Sequence, residues 1–214
     1  MNNETSTIVL GQTGVGKSFF MKARLVSTLC GNENASVLLC GNPEEFKQIM
    51  ERFSGKEVNK KTALDESTPR FRTLNSKNVS ELDVNDLLQN LEKEVSGTNK
   101  EVYLFLDNAD KLVHSKALID KILTLPKENI SVFLTATNVP QSFSDFVFEC
   151  DSAIVLLKEH SDFSTYAKVL GYNKHQFETE YDQTKLSLKD GTLFTLTREN
   201  KNEDFVSKTY CLEL

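Results

Sequence analysis

The sequence predicts an α/β fold: a mostly parallel central sheet flanked by helices, with a C-terminal β-hairpin. Three observations predict it. Short apolar, β-branched runs alternate with stretches whose apolar residues recur at helical spacing along most of the 214 residues. One run, Val102-Tyr103-Leu104-Phe105-Leu106, is nearly continuously apolar, as a strand buried on both faces requires. At the end, two strand-like pieces, Thr192–Thr197 and Phe205–Leu212, flank a polar turn.

Taken in order, Thr7-Ile8-Val9-Leu10 is the first strand, followed by a helix carrying Phe19, Phe20, Ala23, Val26 and Leu29. Ser36–Cys40 is the second strand. The turn Gly41-Asn42-Pro43 ends it, and Pro43, which has no N–H to leave unpaired, opens a helix bearing Phe46, Ile49, Met50 and Phe53. Residues 54–80 are polar and read mostly as loop, with one short strand at Phe71–Leu74. Val84, Leu87, Leu88, Leu91 and Val95 then fall on one helix that ends near Gly97. After the strand at 102–106, a helix is expected around Lys116–Leu125, stopping before Pro126. Ile130–Thr135 and Ala153–Leu157 are two further strands, and short helices around Phe163–Leu170 and Lys174–Tyr181 precede the hairpin.

At this length the expectation is a single domain, residues 1–214, with a full core. A hydrophobic fraction of 39% with 26% charged residues is that of a globular protein. No run approaches the roughly 18 apolar residues of a membrane span, and MNNETSTIVL lacks the basic-then-apolar order of a secretion signal. Cys30, Cys40, Cys150 and Cys211 lie far apart and read as reduced thiols of a cytoplasmic protein; His114, His160 and His175 show no ligand-like spacing. A net charge of −6 argues against a free-standing nucleic-acid binder. The basic residues between Arg52 and Lys77 are interleaved with Glu57, Asp65 and Glu66, and read as a solvated loop rather than a DNA-contacting one.

Function is written most clearly in residues 11–18, GQTGVGKS, which fit G-x-x-x-x-G-K-[ST] between a strand and a helix. The glycines let the chain wrap so that backbone N–H groups face phosphate oxygens; Lys17 brings positive charge to the β- and γ-phosphates, and the Ser18 hydroxyl can ligate Mg²⁺. Gly11, Thr13, Gly14, Val15, Gly16, Lys17, Ser18 and Phe19 are therefore the expected nucleotide-binding residues. A second motif follows from the buried strand that ends in Asp107, placed to hold the Mg²⁺ through its water shell. The next residue, where many such sites carry a glutamate that polarises the attacking water, is Asn108. An amide cannot take a proton, and general-base help is worth about 10² to 10⁴ in rate, or roughly 3–5 kcal/mol. Asp110, Glu44 or Glu45 could substitute, but the sequence does not place them. Asn138, at the tip of the following strand, is the expected γ-phosphate sensor; with Lys17 and Asn108 it completes the catalytic set.

The order of these pieces resembles the HerA–FtsK superfamily, and above all the ATPase domain of the conjugative-transfer (type IV secretion) ATPases. The family's phosphate loop, close to GxSGxGKSF, is matched by Gly11–Phe19, and its D-P-E-like turn by Asn42-Pro43-Glu44. Its D-E-A is matched by Asp107-Asn108-Ala109, and its T-Q-N strand end by Thr135-Ala136-Thr137-Asn138. Towards the C-terminus, Leu156-Leu157-Lys158, Leu170-Gly171-Tyr172 and Gly191-Thr192-Leu193 are similar too. The resemblance implies a RecA-like P-loop NTPase fold, ATP and Mg²⁺ as ligands, and a homo-oligomeric ring. It also implies DNA or a secretion-machinery protein as partner, and a cytoplasmic location at the face of a membrane-bound transfer machine. Departures from the family bear on turnover. Acidic positions are filled by Asn42 and Asn108, and the usual sensor glutamine by Asn138. Residues 121–128, where a ring arginine would be expected, contain none, and the family's large helical insertion is missing. Two alternatives stay open: a hydrolysis-impaired, nucleotide-gated assembly module, and a small viral DNA-packaging ATPase.

Overall fold

The computed structural model describes residues 6–58, 69–95, 101–125, 129–138, 147, 149–157, 166, 175, 178, 179, 182 and 192–211. Nine strands form one sheet: β1 (Ser6–Gly11), β2 (Ser36–Gly41), β3 (Lys56–Glu57), β4 (Phe71–Asn75), β5 (Val102–Leu106), β6 (Ile130–Ala136), β7 (Ser152–Leu157), β8 (Thr192–Arg198) and β9 (Val206–Cys211). Their order is β3-β4-β2-β5-β6-β1-β7-β8-β9. Every pairing from β3 to β7 is parallel, whereas β7–β8 and β8–β9 are antiparallel. The expected parallel sheet with a C-terminal hairpin is thus what forms.

Four helices are described: α1 (Lys17–Gly31), α2 (Pro43–Arg52), α3 (Glu81–Val95) and α4 (Lys116–Thr124). They cover both faces, because successive strand residues point in opposite directions. Val9, Leu39, Phe105 and Phe133 face Met21, Leu25 and Leu29 of α1 and Phe46 of α2. Ile8, Leu10, Leu38, Leu104 and Leu134 face Leu88 and Leu91 of α3 and Ile119 and Ile122 of α4. Burial on both sides explains why the central strands read as unbroken apolar runs. Because those strands are parallel, β1, β2, β5 and β6 all end on the same edge, where open α/β sheets bind their ligands.

Three features went unread in the sequence. The two-residue edge strand β3 is too short to carry a pattern. Arg70, expected in a solvated loop, donates to the carbonyls of Asn32 and Leu29 at 2.8 Å each and so closes the C-terminus of α1. Arg72 is buried within β4, where its guanidinium donates to Ser36 Oγ. The helices expected at 163–170 and 174–181 fall almost wholly outside the described residues. No described helix is long and apolar enough to cross a membrane.

Candidate nucleotide-binding site

Strand β1 is buried along its length and ends in Gly11, where the chain folds back on itself. A Cβ on Gly11 would lie 2.5 Å from Val15 Cγ2 and 3.0 Å from the Leu156 carbonyl oxygen, so no other residue fits without movement. Gly14 (φ 84°) and Gly16 (φ 102°) occupy the left-handed region that side chains rarely adopt, and nothing lies within 4 Å of the Cβ position on Gly14. Gly16 caps α1; its carbonyl accepts the N–H of Phe19 at 2.9 Å and of Phe20 at 3.3 Å. The loop is a glycine-shaped concavity opening on a helix N-terminus, which is the geometry of an anion site.

Lys17, the first residue of α1, is buried. Its Nζ donates to the carbonyls of Gly11 at 2.8 Å and Gln12 at 3.1 Å, which hold the ammonium across the loop. Burial lowers its pKa; the carboxylates of Asp110 and Asp107 oppose the shift, and Lys111 adds to it. Ser18 follows half-exposed at the loop mouth, Thr13 is exposed, and Phe19 is 54% exposed beside them.

Two strands away, β5 delivers Asp107, 2% exposed. Its Oδ1 accepts the Thr135 hydroxyl at 2.6 Å, and the same hydroxyl accepts the Asn108 N–H at 2.9 Å. Burial raises the Asp107 pKa; the Thr135 hydrogen bond opposes this, the charge of Glu45 adds to it, and Lys17 opposes it. Asn108 is left-handed (φ 53°, ψ 50°), a conformation that asparagine tolerates better than most residues. It leads into a 3₁₀ turn, Ala109–Lys111. There the buried Asp110 accepts the N–H of Thr137 at 3.2 Å and of Asn138 at 3.0 Å, one on each oxygen. Tyr166 Oη donates to the Thr137 carbonyl at 2.9 Å. The tip of β6 is thereby fixed against the tip of β5.

The structure thus brings the loop, Asp107, Asn108 and Asn138 to one edge of the sheet. Phosphate fits the glycine concavity and the Lys17 ammonium. Mg²⁺ fits an oxygen-only pair, Ser18 and Asp107. Sequence reasoning missed Thr135 as the clasp on Asp107 and Asp110 as the holder of the sensor segment. The signal for Thr135 is strand register: Leu106 pairs with Leu134, so Asp107 stands beside Thr135. That is invisible until β5 and β6 are known to be neighbours.

No protein-family model matches the chain, and no curated relative matches it in sequence. Solved structures do. The genome-packaging NTPase B204 from Sulfolobus turreted icosahedral virus 2, in complex with ATPγS, superposes with a TM-score of 0.69 at 14% identity, over 98% of each chain. VirB4 of Thermoanaerobacter pseudethanolicus gives 0.68 at 12% identity, over 98% of this chain and 89% of that one. The cytoplasmic domain of the type VII secretion ATPase EccC from Thermomonospora curvata gives 0.55 at 12% identity; all of this chain matches 24% of that one. The shared fold is the RecA-like P-loop fold.

Proposed function

We propose that this chain binds ATP with Mg²⁺ on the loop Gly11–Ser18 and hydrolyses it, as a compact ATPase of the motor type. The observation that supports this most directly is the opposition across β6 of two machines. A glycine cradle with a buried lysine stands at the end of β1, and a buried carboxylate clasped by Thr135 stands at the end of β5. Backbone amides of the loop would bind the phosphates, and Lys17 would leave its own carbonyls for their stronger, charged acceptors. Mg²⁺, held by Ser18 and Asp107, would neutralise charge on the β- and γ-phosphates. Asn138, whose backbone is fixed by Asp110, would read the γ-phosphate, and Asn108 would hydrogen-bond the attacking water without taking its proton.

Conjugative transfer and viral genome packaging both fit the shared fold, since the likeness to the viral packaging NTPase and to VirB4 is of the same strength. Either reading makes the chain a ring-forming ATPase that moves DNA. Titration calorimetry of ATP·Mg²⁺ on the wild type and Lys17→Ala, followed by steady-state hydrolysis with and without double-stranded DNA, tests it. Binding lost in Lys17→Ala and turnover stimulated by DNA are expected. Tight binding with background turnover under both conditions would favour the nucleotide-gated module instead.

A further inference from the structure

We propose that Glu45, in the first turn of α2, is the carboxylate that positions the attacking water and takes its proton, the task that Asn108 cannot perform. This deepens the ATPase reading above and rests on it. The placement comes from the sheet. Strand β2 is the neighbour of β5 opposite β6, and the two end level: Cys40 pairs with Leu106, and the Asp107 N–H donates to the Cys40 carbonyl at 2.9 Å. A Cβ on Gly41 would lie 3.4 Å from Asp107 Cβ and 3.3 Å from the Phe46 ring. The end of β2, two residues before α2 begins, is therefore seated directly against Asp107.

Pro43 is the first residue of α2, so Glu45 is the third, and side chains there lean back over the helix N-terminus. The Glu45 carboxylate does so: its Oε1 accepts Asn42 Nδ2 at a long 3.4 Å, and its charge is one of those felt by Asp107. It is solvent-exposed, so water reaches it. Of the other carboxylates here, Asp107 and Asp110 are already engaged, and Glu44 serves as the comparison. Asp107 is clasped by Thr135, and each oxygen of Asp110 already accepts a backbone N–H of the sensor segment. In the reaction, the water oxygen bonds to the γ-phosphorus. The bond from that phosphorus to the β–γ bridging oxygen breaks, with its electron pair left on ADP. The water proton passes to Glu45 and then to solvent, and the products are ADP and hydrogen phosphate.

A glutamate in a first helical turn also favours the helix dipole, and Glu44 shares that role. Glu44→Gln is therefore the control. ATP·Mg²⁺ affinity and single-turnover hydrolysis are measured for the wild type, Glu45→Gln, Glu45→Asp and Glu44→Gln, with melting temperatures alongside. The expected result is a roughly 10²- to 10⁴-fold lower rate in Glu45→Gln. Affinity should stay within about threefold, Glu45→Asp should recover part of the rate, and Glu44→Gln should stay near wild type. Turnover kept in Glu45→Gln, or lost equally in Glu44→Gln, would overturn the assignment. So would a wild type that binds ATP yet never hydrolyses it, which leaves the binding reading standing. A wild type that binds no ATP would overturn both.

Discussion

The two halves of the site are built in opposite ways. The phosphate loop is local: eight consecutive residues, Gly11–Ser18, carry the cradle and the cation, and much of their shape is set by glycines at positions where a side chain would clash or strain. The opposite edge is assembled from a distance. Thr135 reaches Asp107 across 28 residues of sequence, and Asp110 holds Thr137 and Asn138 across 27 and 28. A local device depends on the handful of φ angles it contains, whereas an assembled one depends on sheet order. Mutations should therefore abolish binding in the first half and tune stability and rate in the second.

The sharpest test of that contrast is Lys17→Ala. Its Nζ is the one side-chain cation in the loop, and a charged hydrogen bond is worth roughly 1.5–3 kcal/mol, more where several converge on phosphate. ATP affinity should fall at least about tenfold to 150-fold by titration calorimetry. The fold should survive, because the two bonds lost, to the carbonyls of Gly11 and Gln12, both lie within the loop itself. A variant that still binds ATP normally would break the comparison at its stronger end.

Asp107→Asn should show the opposite character. Burial raises the Asp107 carboxyl above its unfolded pKa of 3.8, so as pH rises the unfolded chain releases this proton first. Stability contributed by the protonated form is therefore present at low pH. It is lost as pH climbs from about 4 through the raised folded value. At neutral pH an uncharged, nearly isosteric amide removes that penalty while keeping an oxygen for Thr135. The variant should melt higher, by roughly 2–4 °C for each kcal/mol recovered in a protein of this size. It should also lose the Mg²⁺ dependence of ATP binding. A lower melting temperature near pH 7 would show that burial of this charge is compensated.

Legibility follows the same division. GQTGVGKS could be read because every requirement of the loop falls on adjacent residues, and the strand before Asp107 because burial on both faces leaves an unbroken apolar run. Asp110 was visible as a nearby carboxylate but not as the residue that holds the sensor. Glu45 could not be separated from Glu44, since the contact that distinguishes them, the Asn42 amide on the Glu45 carboxylate, exists only once the first turn of α2 is built. Arg72 looked like part of a solvated basic run because a single buried arginine in a short strand leaves no periodic trace.

Thr135→Val measures the clasp. Valine keeps the shape but removes the hydroxyl that donates to Asp107 and accepts from the Asn108 N–H, at a site that is fully buried. Two partners lose their bond, and a buried group left unpaired costs about 1–3 kcal/mol. The midpoint of urea unfolding should fall accordingly, with ATP affinity changed less than in Lys17→Ala. An unchanged midpoint would mean that the tip of β6 is held by Asp110 and Tyr166 alone.

The smallest effect belongs to Asn108→Glu, the substitution that would put a glutamate directly after Asp107. Asn108 stands at φ 53°, ψ 50°, and left-handed backbone costs an ordinary side chain roughly 1–2 kcal/mol. The turn that brings Asp110 under the sensor segment begins there, so glutamate can keep this turn only under strain or bend it and loosen Thr137 and Asn138. The variant should melt slightly lower, and because Glu45 already supplies a carboxylate its turnover should rise by less than about tenfold. Asn108→Gly, free of the backbone penalty, should be as stable as the wild type or nearly so. A rate gain of about 10² or more in Asn108→Glu would mean that no carboxylate serves the water in the native chain. That outcome would move the protein from motor to nucleotide-gated module, with the phosphate loop untouched.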